Sequence, residues 1–172
     1  MAILRLLFVL VLGLIMLPFR LLFGRGGFNN FVVLPDDDPG MAAAKAEAVA
    51  TVPEFLERLA TPGVDLSTAA IKAPLPVAGG AEHVWLIDIR YESGEFVGTI
   101  DNNPTAATGM RSGDTVRVRE TEISDWKIVE RGELIGGFTI RYFVSRMPDK
   151  QRAAFTAALP FSIGSEPIPR AA

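Results

Sequence analysis

Leu6 through Phe19 form an unbroken uncharged run, LLFVLVLGLIMLPF, with apolar side chains on every helical face. A helix that is apolar all round leaves no side for water, so the run is not expected to pack as a helix of a soluble domain. Its 14 residues would span roughly 21 Å, short of the ~30 Å hydrocarbon core. With Arg5 and Arg20 snorkelling to the head groups, Ala2–Phe23 supplies 22 residues and roughly 33 Å. Pro18 bends such a helix near its end. Signal cleavage needs a small-x-small site, and the nearby Gly24-Arg25-Gly26 is crowded by arginine. The pattern therefore predicts an uncleaved membrane anchor within residues 1–27. A cleaved signal and a flat interfacial helix are the alternatives.

Residues 28–40 read as a linker ending in Asp36-Asp37-Asp38-Pro39-Gly40. Asp38 is placed to cap a helix and Pro39 to open it. A calcium site is the alternative, against which stands the lack of spaced loop ligands. Met41, Ala44, Ala48, Val52, Phe55, Leu56 and Leu59 recur at helical spacing. Pro53 interrupts this stripe, and Thr51-Val52-Pro53-Glu54 has the form of a capping box that restarts a second short helix. Thr61-Pro62-Gly63 ends it.

From Ala69 the period changes to two. Ala69–Pro76 predicts a strand, placed at an edge by Pro74 and Pro76. His83, Trp85, Ile87, Ile89 and Tyr91 alternate and are expected on one face. Glu92-Ser93-Gly94 turns into a strand over Glu95–Ile100. Thr115–Glu120 is a strand with Val116 and Val118 inward. Trp126–Val129, the turn Glu130-Arg131-Gly132, and Glu133–Ser145 predict a second hairpin, with Gly136-Gly137 as a bulge or a close backbone approach in its long strand. Pro148–Leu159 predicts a closing helix, and residues 164–172 a flexible tail. The class is α+β: a helix, about five antiparallel strands in a curved sheet or partly open barrel, and a final helix, making one domain over residues 41–163. No βαβ alternation supports a Rossmann-type nucleotide site.

The chain has no cysteine and one histidine. Disulfides, thiolate metal sites and two-histidine zinc motifs are excluded, and no metal or cofactor is expected. The net charge of −3 conceals an asymmetry: Arg5, Arg20 and Arg25 lie in the first 25 residues without any acid, leaving −6 for the rest. An acidic domain repels phosphate backbones, so nucleic acid is not an expected partner. The membrane, through residues 2–23, is. Flanking arginines nearly balance the positive-inside rule, and the order of charged start and apolar core favours an exported domain behind a single inner-membrane span.

Chemistry has few places to sit. His83 beside Glu82 has the makings of a general base; the plain alternative is a hydrogen-bonded strand residue. Asp125 suits a turn cap, and Trp126 a core anchor or a stacking platform. Thr139 and Arg141 would point to one side of a strand, where Arg141 with Asp114 or Asp125 forms an ion pair or holds an anion. With Trp85 and Asn103 added, the candidate cluster is Glu82, His83, Trp85, Asn103, Asp114, Asp125, Trp126, Thr139 and Arg141. Neither a Gly-x-Ser-x-Gly elbow nor a phosphate-binding loop occurs.

A series of short segments runs in order through Glu82-His83-Val84-Trp85, Phe96-Val97-Gly98, Asn102-Asn103-Pro104 and Gly113-Asp114-Thr115-Val116. It continues with Ile123-Ser124-Asp125-Trp126, Gly136-Gly137-Phe138-Thr139-Ile140-Arg141 and Leu159-Pro160-Phe161. Through these segments the chain from Pro39 to Phe161 resembles the YegJ-like family of uncharacterised bacterial proteins. The chain departs at Lys127, where a methionine is expected, and at Met147-Pro148, where a serine or threonine cap is. The resemblance implies one domain of unknown function, sometimes behind an export signal or anchor, and brings no catalytic residue. Two readings follow. One is a membrane-tethered, non-catalytic binding module of the envelope. The other is an enzyme whose cleft uses Glu82, His83, Asp125 and Arg141 together with Thr139.

Overall fold

Asp38 accepts a hydrogen bond from the Met41 amide at 2.8 Å and starts helix α1 (Pro39–Ala50), with Pro39 in its first turn. These residues open the computed structural model, which describes residues 38–77, 80–101, 103–104 and 109–168. The expected anchor and Asp36-Asp37 lie outside the described residues. Among those described, no helix is long and apolar enough to cross a membrane.

Helix α2 (Val52–Ala60) restarts at Pro53 as expected, but the capping box does not form. The Thr51 hydroxyl donates instead to the carbonyls of Glu47 and Ala48, and accepts from the Trp126 indole N–H at 3.0 Å. A single 3-10 turn (Leu66–Thr68) leads into the strands. These are β1 (Ala70–Val77), β2 (Gly80–Glu92), β3 (Glu95–Ile100), β4 (Thr115–Arg119), β5 (Asp125–Glu130) and β6 (Glu133–Gly136). They form one open antiparallel sheet in the order β4-β3-β2-β1-β5-β6, six strands rather than about five. Both predicted hairpins occur. Ser93-Gly94 and Arg131-Gly132 supply the two left-handed residues that a two-residue turn needs.

Two strands differ from expectation. β1 lies inside the sheet, not at its edge. Its prolines are accommodated because β5 pairs only with Ala70–Lys72, so Pro74 and Pro76 fall beyond that pairing. In β2 the register slips between Ile87 and Arg90, with Asp88 at φ +53°. One extra residue inverts the alternation, so His83 and Trp85 do not share a face with Ile89 and Tyr91. Val84 and Leu86 enter the main core before the bulge; Ile89 packs on that core after it, and Tyr91 contacts the ring of core Phe96.

The largest correction concerns residues 133–145. The strand ends at Gly136, and Phe138–Ser145 is helix α3. Helix α4 (Asp149–Ala157) follows, slightly shorter than the predicted closing helix, with Phe155 buried.

Two apolar clusters hold these layers. In the first, Ala48, Val52 and Phe55 of α1 and α2 pack on Ile71, Leu86, Ile100, Trp126 and Ile128. In the second, Ile140, Phe143 and Val144 of α3 and Phe155 of α4 pack on Leu134, with Trp85 against the cluster. Adjacent residues of β6 divide between them: Leu134 joins the second, Ile135 the first. Successive strand residues face opposite ways, so the clusters lie on opposite faces of the sheet.

The segment after α4 is not free where it is described. Leu134 N–H donates to the Ser162 carbonyl at 2.9 Å and Gly136 N–H to the Pro167 carbonyl at 2.7 Å. Ile168 packs on the first cluster. Only residues 169–172 of the expected flexible tail lie outside the described residues.

Candidate functional site

Asp125 opens β5 and is fully buried. Its Oδ1 accepts from the amides of Trp126 (2.9 Å) and Phe138 (3.0 Å), and its Oδ2 from the Thr139 amide (2.9 Å) and hydroxyl (2.5 Å). The first amides of α3 thus find their acceptor in a carboxylate from another strand, a tertiary replacement for the usual local cap. Burial pushes the Asp125 carboxyl above its ordinary range; the Thr139 hydroxyl, Lys72 and the amides oppose this by stabilising the charge.

Gly136 and Gly137 make the sharp join that brings α3 to Asp125, at φ +71° and +66°. A Cβ on Gly136 would stand 2.5 Å from the Trp126 carbonyl oxygen, and one on Gly137 2.7 Å from the Leu134 side chain. Gly136→Ala is therefore expected to cost roughly 2–3 kcal/mol, combining left-handed strain with a backbone clash. Urea unfolding would read this as a lower midpoint at unchanged slope. A wild-type midpoint would show that the join does not need glycine.

The other candidates occupy distinct settings. Trp126 is fully buried, stacked on Phe55 at 4.9 Å, with its indole N–H also donating to the Ala48 carbonyl. It presents no face to a ligand. Arg141, expected to pair with Asp114 or Asp125, lies on α3 and donates to three carbonyls: Gly136 (2.7 Å), Leu134 (2.5 Å) and Gly164 (2.6 Å). Moving from strand to helix redirected it from an acid to the chain backbone. Asn103 Oδ1 accepts from the Ser112 amide, and Asp114 Oδ2 from the Arg111 amide, both bonds internal to the β3–β4 loop. Glu82 is buried, in register with Leu75, and alternates with His83 along β2.

His83 links to the Asp125 region through Ser124. Its Nδ1 is 2.8 Å from the Ser124 hydroxyl, which also lies 3.1 Å from the Lys72 carbonyl. Its Nε2 is 3.4 Å from the Lys45 ammonium. An ammonium offers only hydrogens, so Nε2 accepts, Nδ1–H donates to Ser124, and the Ser124 hydroxyl donates onward to Lys72. In this arrangement His83 does not withdraw a proton from Ser124, and Ser124 itself is buried. Burial, reinforced by the Lys45 and Lys72 charges, pushes the His83 pKa down to about 3.

Beside this chain lies a group that residue motifs did not single out. The register sets Lys72 between Trp85 on β2 and Asp125 on β5. The ammoniums of Lys72 and Lys127 lie 5.7 and 5.3 Å from the centre of the Trp85 ring. Burial lowers the pKa of both: Asp125 counteracts it at Lys72, where Lys45 adds to it, and Asp101 and Asp125 counteract it at Lys127. The only sequence signal was numerical. The chain has four lysines, Lys45, Lys72, Lys127 and Lys150, and three of them gather here.

The uncharacterised protein YegJ of Escherichia coli strain K12 is 34% identical over 95 residues, 55% of this chain and 62% of YegJ. A putative ankyrin repeat protein of Neisseria meningitidis serogroup B is 32% identical over 103 residues, 58% of this chain and 41% of that protein. The matches thus span less than two thirds of either relative. No solved structure matches. The family described as "Uncharacterized protein conserved in bacteria (DUF2314)" matches residues 38–163, from the cap of α1 to the segment after α4. This likeness agrees with the resemblance read from the sequence, and the chain belongs to this DUF2314 family of bacterial proteins.

Proposed function

We propose that this protein is a non-catalytic binding module of the bacterial envelope, tethered to the inner membrane through residues 2–23 with its domain exported. The observation that carries the non-catalytic part is Asp125: all four of its hydrogen bonds serve the fold, including the start of α3. Arg141 is likewise occupied by backbone carbonyls. An enzyme using these two groups would have to unmake the structure that holds them. Support for the tether is the apolar run with its basic flanks.

Fractionation tests the tether. The full chain is expected to stay in the membrane pellet after an alkaline wash, and a chain lacking residues 2–23 to be released. Protease added to intact spheroplasts is expected to digest the domain. A released full chain overturns the tether, and a protected domain overturns export. Loss of a cellular phenotype on His83→Ala, with folding unchanged, would count against the non-catalytic reading.

A further inference from the structure

We propose that Lys72 and Lys127, held at the Trp85 indole, form a binding site for the phosphoryl group of a small ligand, with Lys45 at its margin. The proposal goes beyond the tethered-module reading and does not depend on it.

Three observations carry it. First, three of four lysines converge from α1, β1 and β5 in a chain whose charge is otherwise acidic. Like charges repel, and a fold without use for such a cluster would gain by dispersing it. Second, among the described residues the ammoniums of Lys72 and Lys127 have no ion-pair contact. Asp125, the nearest register partner of Lys72, already has both oxygens engaged by four donors. Third, both lysines and Trp85 are half-buried. Burial has cost the ammoniums hydration, which is the main cause of their lowered pKa values. The Trp85 ring holds both cations electrostatically without neutralising either.

The charge count selects the ligand class. A carboxylate carries one negative charge and would leave one of the two ammoniums uncompensated. A phosphate monoester carries close to two, and lysine serves phosphate as a mobile point charge. The negative charge of such a group would offset the cost of burial that now lowers both lysine pKa values. His83 remains neutral beside the site and adds no charge of its own.

The test uses the full chain in detergent micelles at fixed ionic strength, titrated with inorganic phosphate. Saturable binding at millimolar phosphate or below is expected. It should weaken by roughly tenfold or more in Lys72→Met/Lys127→Met, which keeps the apolar stems. Circular dichroism checks that the variant folds. A second readout needs no variant: dimethylated lysines keep their charge, and phosphate should shift the methyl signals of Lys72 and Lys127 but not that of exposed Lys150. Vesicles of phosphatidylcholine, with or without phosphatidic acid, separate the sources of the group. Lysine-dependent preference for phosphatidic acid identifies a lipid head group, and lysine-dependent binding of free phosphate alone identifies a soluble ligand; either supports the site. Absence of saturable binding in both arms, equal binding by the folded double variant, or no shift at either lysine overturns it.

Discussion

Asp125→Ala is expected to destabilise the domain by roughly 3–5 kcal/mol, a large part of the ~5–15 kcal/mol that holds a typical domain together. The change removes the acceptor for the Trp126, Phe138 and Thr139 amides and for the Thr139 hydroxyl. Water cannot readily replace it, since Asp125, Trp126, Phe138 and Thr139 are all buried. Asp125→Asn should cost less, about 2 kcal/mol. One oxygen can still serve Trp126 and Phe138, while the new amide hydrogens face the Thr139 N–H. Urea unfolding of the three proteins gives the ranking. If both variants unfold with the wild type, Asp125 does not hold the start of α3 and the non-catalytic reading loses its main support.

The second large effect is loss of stability in acid through His83. Unfolded, the imidazole takes a proton near its ordinary 6.5; folded, it resists one until about pH 3. Between these values the unfolded state binds more protons, so stability falls as pH falls. The slope approaches about 1.4 kcal/mol per pH unit, for a total on the order of 5 kcal/mol. Burial is the main cause, and the Lys45 and Lys72 cations facing the ring add to it. Asp125 works in the opposite sense: its folded carboxyl has a raised pKa, so acidification favours the fold over the range above its ordinary value. Comparing wild type with His83→Gln from pH 7 to pH 4 isolates the histidine. The variant should lose the steep part of the slope, and matching slopes would show that His83 is protonated as easily folded as unfolded.

Turn chemistry and helix entry were legible because their signals are local. Asp38-Pro39, Glu92-Ser93-Gly94 and Glu130-Arg131-Gly132 each carry the residues that their backbone conformations demand. Helix α3 was not legible for the opposite reason. FTIRYFVS is rich in β-branched and aromatic residues, and Gly137 at its N-cap has no side chain to announce a helix. The cap comes from Asp125, 13 residues upstream across a hairpin. The helical spacing of Ile140, Phe143 and Val144 was the available clue. Similarly, nothing around Asp88 marks it as the residue that inverts the faces of β2. The lysine group escaped motif reading altogether, because Lys45, Lys72 and Lys127 meet only once α1, β1 and β5 are assembled.

The segment from Ser162 to Pro167 has a consequence for the sheet as a whole. A strand at the end of a sheet leaves backbone groups open to any extended peptide, including one from a second molecule. On β6 the Leu134 and Gly136 amides are already taken by the chain's own carbonyls, and Arg141 fastens the intervening Gly164. The opposite edge, β4, is short, and its Arg117 and Arg119 are ion-paired to Glu92, Glu95 and Glu122, which leaves a rim of charged side chains. The two ends of the sheet are thus guarded by different means, one by occupation and one by a short strand rimmed with charged side chains. Only the first can be removed by a single proteolytic cut.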